Sequence, residues 1–222
     1  MRMNAPLVGA LALLGLTACG DALAVNNYNV PDIARVLYSE ASIEAVVAGL
    51  GAQVNNPQRQ SESVNPQSKI LAEESFASVA NFGMAARVAN RTSIANELGN
   101  DNQAGNLNNF NSNQRTQRLA FTTLYSYAAI IARQGFSLLT PGAENRLRSF
   151  AYFIAARSIA NTAVAYDSMA VLDETTLPRE NPGLSSAADA NLKAIEYYDS
   201  AFTIAGRGMD DLPATWLSQS AA

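Results

Sequence analysis

The chain contains no histidine and a single cysteine, Cys19. Histidine is the commonest general base at neutral pH and the commonest zinc ligand, so its absence removes Ser-His and Cys-His nucleophilic pairs and most zinc-dependent hydrolysis. One thiol can form neither an internal disulfide nor a thiolate metal cage. Charged residues are scarce, at 15%, and the formal net charge of −4 comes without any basic run. With no cationic patch to displace counterions from phosphate, nucleic acid is not an expected partner. Nor does a polybasic segment meet an anionic lipid leaflet. No stretch sustains the polar/apolar alternation of a strand, so none is expected. The apolar run Leu7 to Leu16 is about ten residues, half of what a bilayer core requires.

That run follows Arg2 and ends in Leu16-Thr17-Ala18-Cys19-Gly20. A short cationic start and an apolar stretch of this length make a signal peptide over residues 1–18. The small residues before Cys19 fit the bacterial lipobox, in which the cysteine thiol receives a diacylglyceryl group and becomes the new N-terminus. Cys19 is therefore the expected lipid attachment site. Several acyl chains, at about 0.8 kcal/mol per buried methylene, anchor a soluble domain firmly to a membrane that it does not cross. Glycine at position 20 is compatible with passage to the outer membrane. Residues 19–30 then form a tether, and residues 31–222 form one helical domain.

Apolar residues make up 48% of the chain, enough for the core of one sizeable domain. Their spacing predicts about six helices. The first is a turn from Pro31 to about Arg35. The second spans Ser42 to Leu50, with Ile43, Val46, Val47 and Leu50 on one face and Gly49 and Gly51 at its end. A polar loop, Asn55 to Pro66, precedes a helix from Ser68 to about Asn90 with a break at Gly83. Thr116 to Leu139 is the next helix. Ala143 to about Leu172 reads as a spine of about 45 Å, closed by Asp173 to Pro178. Ser185 or Ser186 caps the last helix, with Asp189 in its first turn and Leu192, Ile195, Tyr198 and Phe202 sharing a face. Ala194, Tyr198 and Ala201 match the second helix of a tetratricopeptide unit. The expected class is all-α, with antiparallel helix pairs in a tetratricopeptide-like α-α superhelix.

Candidate chemistry is sparse. The acidic pairs Glu73-Glu74, Asp173-Glu174 and Asp210-Asp211 are adjacent in sequence, which does not set carboxylates across a cleft as glycoside hydrolysis requires. Asp173 and Asp210 offer oxygen ligands to calcium, but without an EF-hand spacing; no metal site, catalytic residue or cofactor is expected. Between Leu98 and Gln114 asparagines crowd a segment that reads as a surface loop. Amides both donate and accept hydrogen bonds, so Asn108 and Asn109, beside the ring of Phe110, are the candidate ligand-binding residues for sugar hydroxyls. Trp216 is the sole tryptophan and reads as a packing anchor.

Several segments occur together in a fixed order: Val25-Asn26-Asn27-Tyr28-Asn29-Val30-Pro31 after the lipid cysteine, Leu147-Arg148-Ser149-Phe150-Ala151 through Tyr166-Asp167, Val171 to Thr176, Ala190 to Ala205, and Leu212-Pro213-Ala214-Thr215-Trp216-Leu217. The ordered set resembles the SusD/RagB family of outer-membrane nutrient-binding lipoproteins, over the N-terminal part of that family's length. The resemblance implies an incomplete SusD-like domain, lipid-anchored at the outer membrane and facing the cell surface. Such a protein captures an oligosaccharide or other nutrient without transforming it. It delivers that cargo to a SusC-like TonB-dependent transporter, its expected partner. The resemblance fixes no ligand residue. A different class of function, a tetratricopeptide-like envelope scaffold binding a protein, fits the same helix pairs.

Overall fold

The computed structural model describes residues 40–59, 69, 72–74, 103–137, 139–176, 180–213 and 216. The leader, Cys19, the tether, the turn at Pro31 and nearly all of the helix expected from Ser68 to Asn90 lie outside the described residues. Four helices are described: α1 (Glu40–Arg59), α2 (Gln103–Gln134), α3 (Pro141–Ala163) and α4 (Ala187–Ala205). Two short strands, β1 (Ser168–Ala170) and β2 (Leu184–Ser186), stand between α3 and α4. The fold is all-α in class, with one small antiparallel ladder.

α1 buries Ile43, Val47 and Leu50 completely. It does not stop at Gly49 or Gly51 but continues into the stretch expected as a loop. Burying each large aliphatic side chain contributes about 1.5–3 kcal/mol, against about 1 kcal/mol lost per helical glycine, so packing outweighs propensity. At Gly51 a β-carbon would already touch the Phe150 ring, at 3.4 Å, which places α1 close against α3.

α2 corrects a larger expectation. The asparagine-rich stretch is helical from Gln103 onward, where a loop was expected through Gln114. Asn109 and Asn113 lie one turn apart on the buried side, and the Asn113 amide donates to the Asn109 carbonyl at 2.9 Å. Asn109 in turn donates to the Tyr166 hydroxyl at 3.2 Å. Polar side chains that usually draw a backbone out of helix are satisfied here within it and by the neighbouring segment. Gly135, at φ 81°, ends the helix before Leu139.

α3 begins as its sequence demands. The Thr140 side chain accepts from the Ala143 amide, Pro141 occupies the first turn, and Glu144 meets the positive end of the helix dipole. It is shorter than expected, ending at Ala163 instead of running to Leu172. No proline or glycine stops it. Asn161, Thr162, Val164, Tyr166 and Asp167 are all middling or poor helix formers, and tertiary contacts claim the chain beyond them. Met169 is fully buried in β1, which pairs with β2 in the register Ser168 to Ser186, Met169 to Ser185 and Ala170 to Leu184. Gln117 of α2 locks this turn by donating to the Ala170 carbonyl at 3.1 Å and accepting from the Leu172 amide at 2.7 Å.

The spine role of α3 is retained despite its length, since α3 packs against α1, α2 and α4. Leu147, Ala151, Ile154, Ala155 and Ile159 carry the core through it. α4 is capped by Ser186, whose hydroxyl accepts from the Asp189 amide, as expected. Its packed face is not the expected one. Ala190, Ala194, Tyr197, Ala201 and Ile204 are buried, whereas Leu192, Ile195 and Phe202 are exposed. The alanines let α3 and α4 approach closely, Tyr197 and Ile204 fill the rest of that side, and Leu192, Ile195 and Phe202 face away.

Candidate functional site

The close approach of α3 and α4 leaves a groove along one side of the pair. Phe150 and Phe153 of α3 form one wall, Tyr198 and Phe202 of α4 the other, and Met209 and Leu212 close one end. Its volume is about 550 Å³. The rings are mutually braced: Phe153 meets Tyr198 edge-on at 5.8 Å, Phe150 lies 6.4 Å from Phe153, and Phe150 lies 5.3 Å from Trp216. Ser149 fixes the floor by donating to the Ala201 carbonyl at 2.8 Å. Asp199 is the charged residue of the lining. Burial pushes the Tyr198 phenol above its ordinary pKa, with Arg157 partly opposing, so this ring stays a neutral donor and acceptor at physiological pH.

The segment after α4 is tied back beside this groove. Asp210 accepts from the Thr140 hydroxyl at 3.1 Å and its amide donates to the Gly142 carbonyl at 3.1 Å. Asp210 sits so near Gly142 that a β-carbon there would collide with its carboxylate. Arg146 gathers three elements: it pairs with Glu44 of α1, donates to the Asp211 carbonyl at 3.1 Å, and lies 5.4 Å over the Trp216 ring. Trp216 is thus a packing anchor for this segment.

The amide-rich candidates lie elsewhere. Phe110 packs edge-on against Tyr166 at 5.1 Å, beyond the far end of α3, which itself lies about 20 Å along the helix from Phe150 at 1.5 Å per residue. Asn109 is buried and spent on Tyr166 and Asn113, so it has no capacity directed at solvent. Asn108 is exposed. The three residues therefore do not form one surface with the groove.

The acidic pair at the end of β1 is occupied in holding its turn. Asp173 accepts from the Thr175 and Thr176 side chains at 2.7 and 2.9 Å and from both their amides at 2.9 Å. Slight burial would raise its pKa, but these bonds outweigh it and hold the carboxyl below the usual aspartate range. Glu174 accepts from the Tyr152 hydroxyl at 2.7 Å and lies 3.9 Å from Arg148. Asp210, the other carboxylate with calcium-type chemistry, is engaged by Thr140 as described. Among the described residues no group of three or more acidic or thiol side chains gathers as metal ligands. No helix among them is long and apolar enough to cross a membrane.

Sequence periodicity had placed Tyr198 and Phe202 on one face and Phe150 and Phe153 in one helix, but not opposite each other across a groove. The signal that locates the groove is the run of alanines on the other side of α4, which marks where that helix lies closest to α3. No family model, curated protein or solved structure matches the chain.

Proposed function

We propose that this chain is the helical part of a binding lipoprotein of the SusD/RagB kind, anchored through Cys19 to the outer membrane at the cell surface. It captures an oligosaccharide or a similar nutrient and passes it to a TonB-dependent transporter. The observation that carries this reading is the ring-walled groove between α3 and α4. Exposed Phe153 and Phe202 offer rings on which the C–H faces of a sugar can stack, beside the exposed Asp199 carboxylate, which accepts from hydroxyls. The α3–α4 pair serves as a tetratricopeptide-like unit whose covered side supplies rigidity and whose open side supplies contact. Capture of this kind uses no covalent chemistry, in keeping with the histidine-free sequence.

Binding to a shallow groove stays weak enough for the cargo to be handed on, in the micromolar to millimolar range, about −8 to −4 kcal/mol. Calorimetric titration of the purified chain with a panel of neutral and acidic oligosaccharides tests the reading. At least one sugar should bind wild type and lose about tenfold or more in affinity with Phe153→Ala and Tyr198→Ala. Cys19→Ala should move the protein from the membrane fraction to the soluble fraction. A panel without binders, together with an unchanged distribution of Cys19→Ala, would overturn it.

A further inference from the structure

The groove between α3 and α4 has an open part and an enclosed part. Exposed Phe153 and Phe202 belong to the open part, and Phe153 meets Tyr198 edge-on at one end. Half-buried Phe150 and Ala205 line the enclosed part, which Met209 and Leu212 close at the other end. Tyr198 and Ala205 lie about 10 Å apart along α4 at 1.5 Å per residue, room for one ring. The closed end is held in place by its backbone. Met209 sits between Gly208, whose carbonyl accepts from the Asn145 amide at 3.1 Å, and Asp210, tied to Thr140 and Gly142. Leu212 follows Asp211, whose carbonyl accepts from Arg146 at 3.1 Å. Polar ties thus hold the flanking residues to the first turns of α3, and the two apolar side chains line the groove.

The polar groups of the enclosed part decide what fits it. Ser149 is buried and gives its hydroxyl hydrogen to the Ala201 carbonyl at 2.8 Å. The carbonyls of Phe202, Ile204 and Ala205 accept from the amides of Gly206, Arg207 and Gly208. Tyr198 and Asp199, the other polar lining residues, stand at the opposite end from Met209 and Leu212. A sugar pushed inside would lose water from several hydroxyls and find no partner for them, and each such hydroxyl costs about ten- to a hundredfold in affinity. An aromatic ring carries no such loss, and contacts with the Phe150 ring and the Met209 thioether favour it. With Asp199 as the charged residue of the lining, a neutral ring fits better than an anionic one. We infer that the enclosed part of the groove takes a neutral aromatic group attached to the sugar, while the sugar stays on the exposed Phe153 and Phe202 rings. The inference rests on the groove being the cargo site and narrows the cargo to aryl-substituted saccharides.

The probes are the methyl and phenyl β-glycosides of glucose, xylose, galactose and mannose, titrated by calorimetry against the purified full chain. For at least one sugar the phenyl glycoside should bind about tenfold or more tightly than the methyl glycoside. Met209→Asp and Ala205→Phe, which charge and fill the enclosed part, should each remove that advantage. Melting curves check that both variants remain folded. Equal binding of phenyl and methyl glycosides, no binding of any phenyl glycoside at millimolar concentration, or an advantage untouched by both substitutions would overturn the inference. So would phenol alone binding as tightly as its glycosides, because the ring site would then owe nothing to a sugar. The oligosaccharide panel judges the proposed function separately. Unsubstituted oligosaccharides that bind and depend on Phe153 and Tyr198 leave that function standing even where the phenyl advantage is absent and the inference falls.

Discussion

α3 and α4 are neighbours with similar alanine content and aromatic rings at similar spacing, yet they stand in opposite situations. α3 packs against α1, α2 and α4, and its buried positions take up most of its circumference, leaving open only the stripe that carries Phe150, Phe153 and Arg157. α4 is covered on one side only, and that side carries three alanines along with Tyr197 and Ile204. Apolar periodicity therefore identifies faces without saying which face meets the core. Between two helices the closest approach goes to alanine, because each removed methyl lets the backbones move together and the surrounding atoms make more contacts. Large side chains left outside by that choice, Leu192, Ile195 and Phe202, are available for binding instead of stability.

Substitutions on the two helices separate these roles. The largest effect is expected at the spine, where Leu147→Ala or Ile159→Ala leaves a cavity and costs about 2–5 kcal/mol by urea denaturation. Next is the shared seam: Ala194→Leu forces an extra side chain between α3 and α4 and is expected to cost about 1–3 kcal/mol.

Smaller effects come from the polar links at the α4 end. Tyr197 donates to the Leu172 carbonyl at 2.8 Å, so Tyr197→Phe should cost about 1 kcal/mol. Burial, chiefly, pushes both the Tyr197 and the Tyr152 phenols above their ordinary range. Each therefore contributes stability that is fully present below about pH 10 and is lost as the pH rises past it, toward the raised folded values. The alkaline fall in stability should be shallower in Tyr197→Phe than in wild type, and a pH series of melting curves measures this. Asp173→Ala is the smallest, about 0.5 kcal/mol, because the side chain is largely exposed. Its contribution has the opposite sign in pH: present above the ordinary aspartate pKa near 3.9 and lost as the pH falls toward the depressed folded value.

The helices with strong local signals were legible from residues alone. The break at Pro141 marks the start of α3 to within two residues, and Ser186 the start of α4, because a proline and a cap act locally, whereas the cap from Thr140 was not read. What escaped depends on partners distant in sequence. Asn109 needs Tyr166, and β1 needs β2 and Gln117, before either the helical asparagines or the early end of α3 makes sense. The candidate site was half legible for the same reason. Phe150, Phe153, Tyr198 and Phe202 were visible as apolar residues at helical spacing, but their shared groove exists only once Ala194 and Ala201 have drawn α4 against α3. Asn108, Asn109 and Phe110 looked like a loop-borne site because their composition is that of a loop; in the folded chain Asn109 and Phe110 hold α2 to Tyr166.

The groove rests on the outer side of α4 lying outside the core. Urea denaturation of the triple variant Leu192→Ser, Ile195→Ser, Phe202→Ser tests this most directly. Its unfolding free energy should stay within about 0.5 kcal/mol per site of wild type, as surface substitutions do. A loss of several kcal/mol, on the scale of Leu147→Ala, would mean that this side of α4 is core after all and would contradict the account.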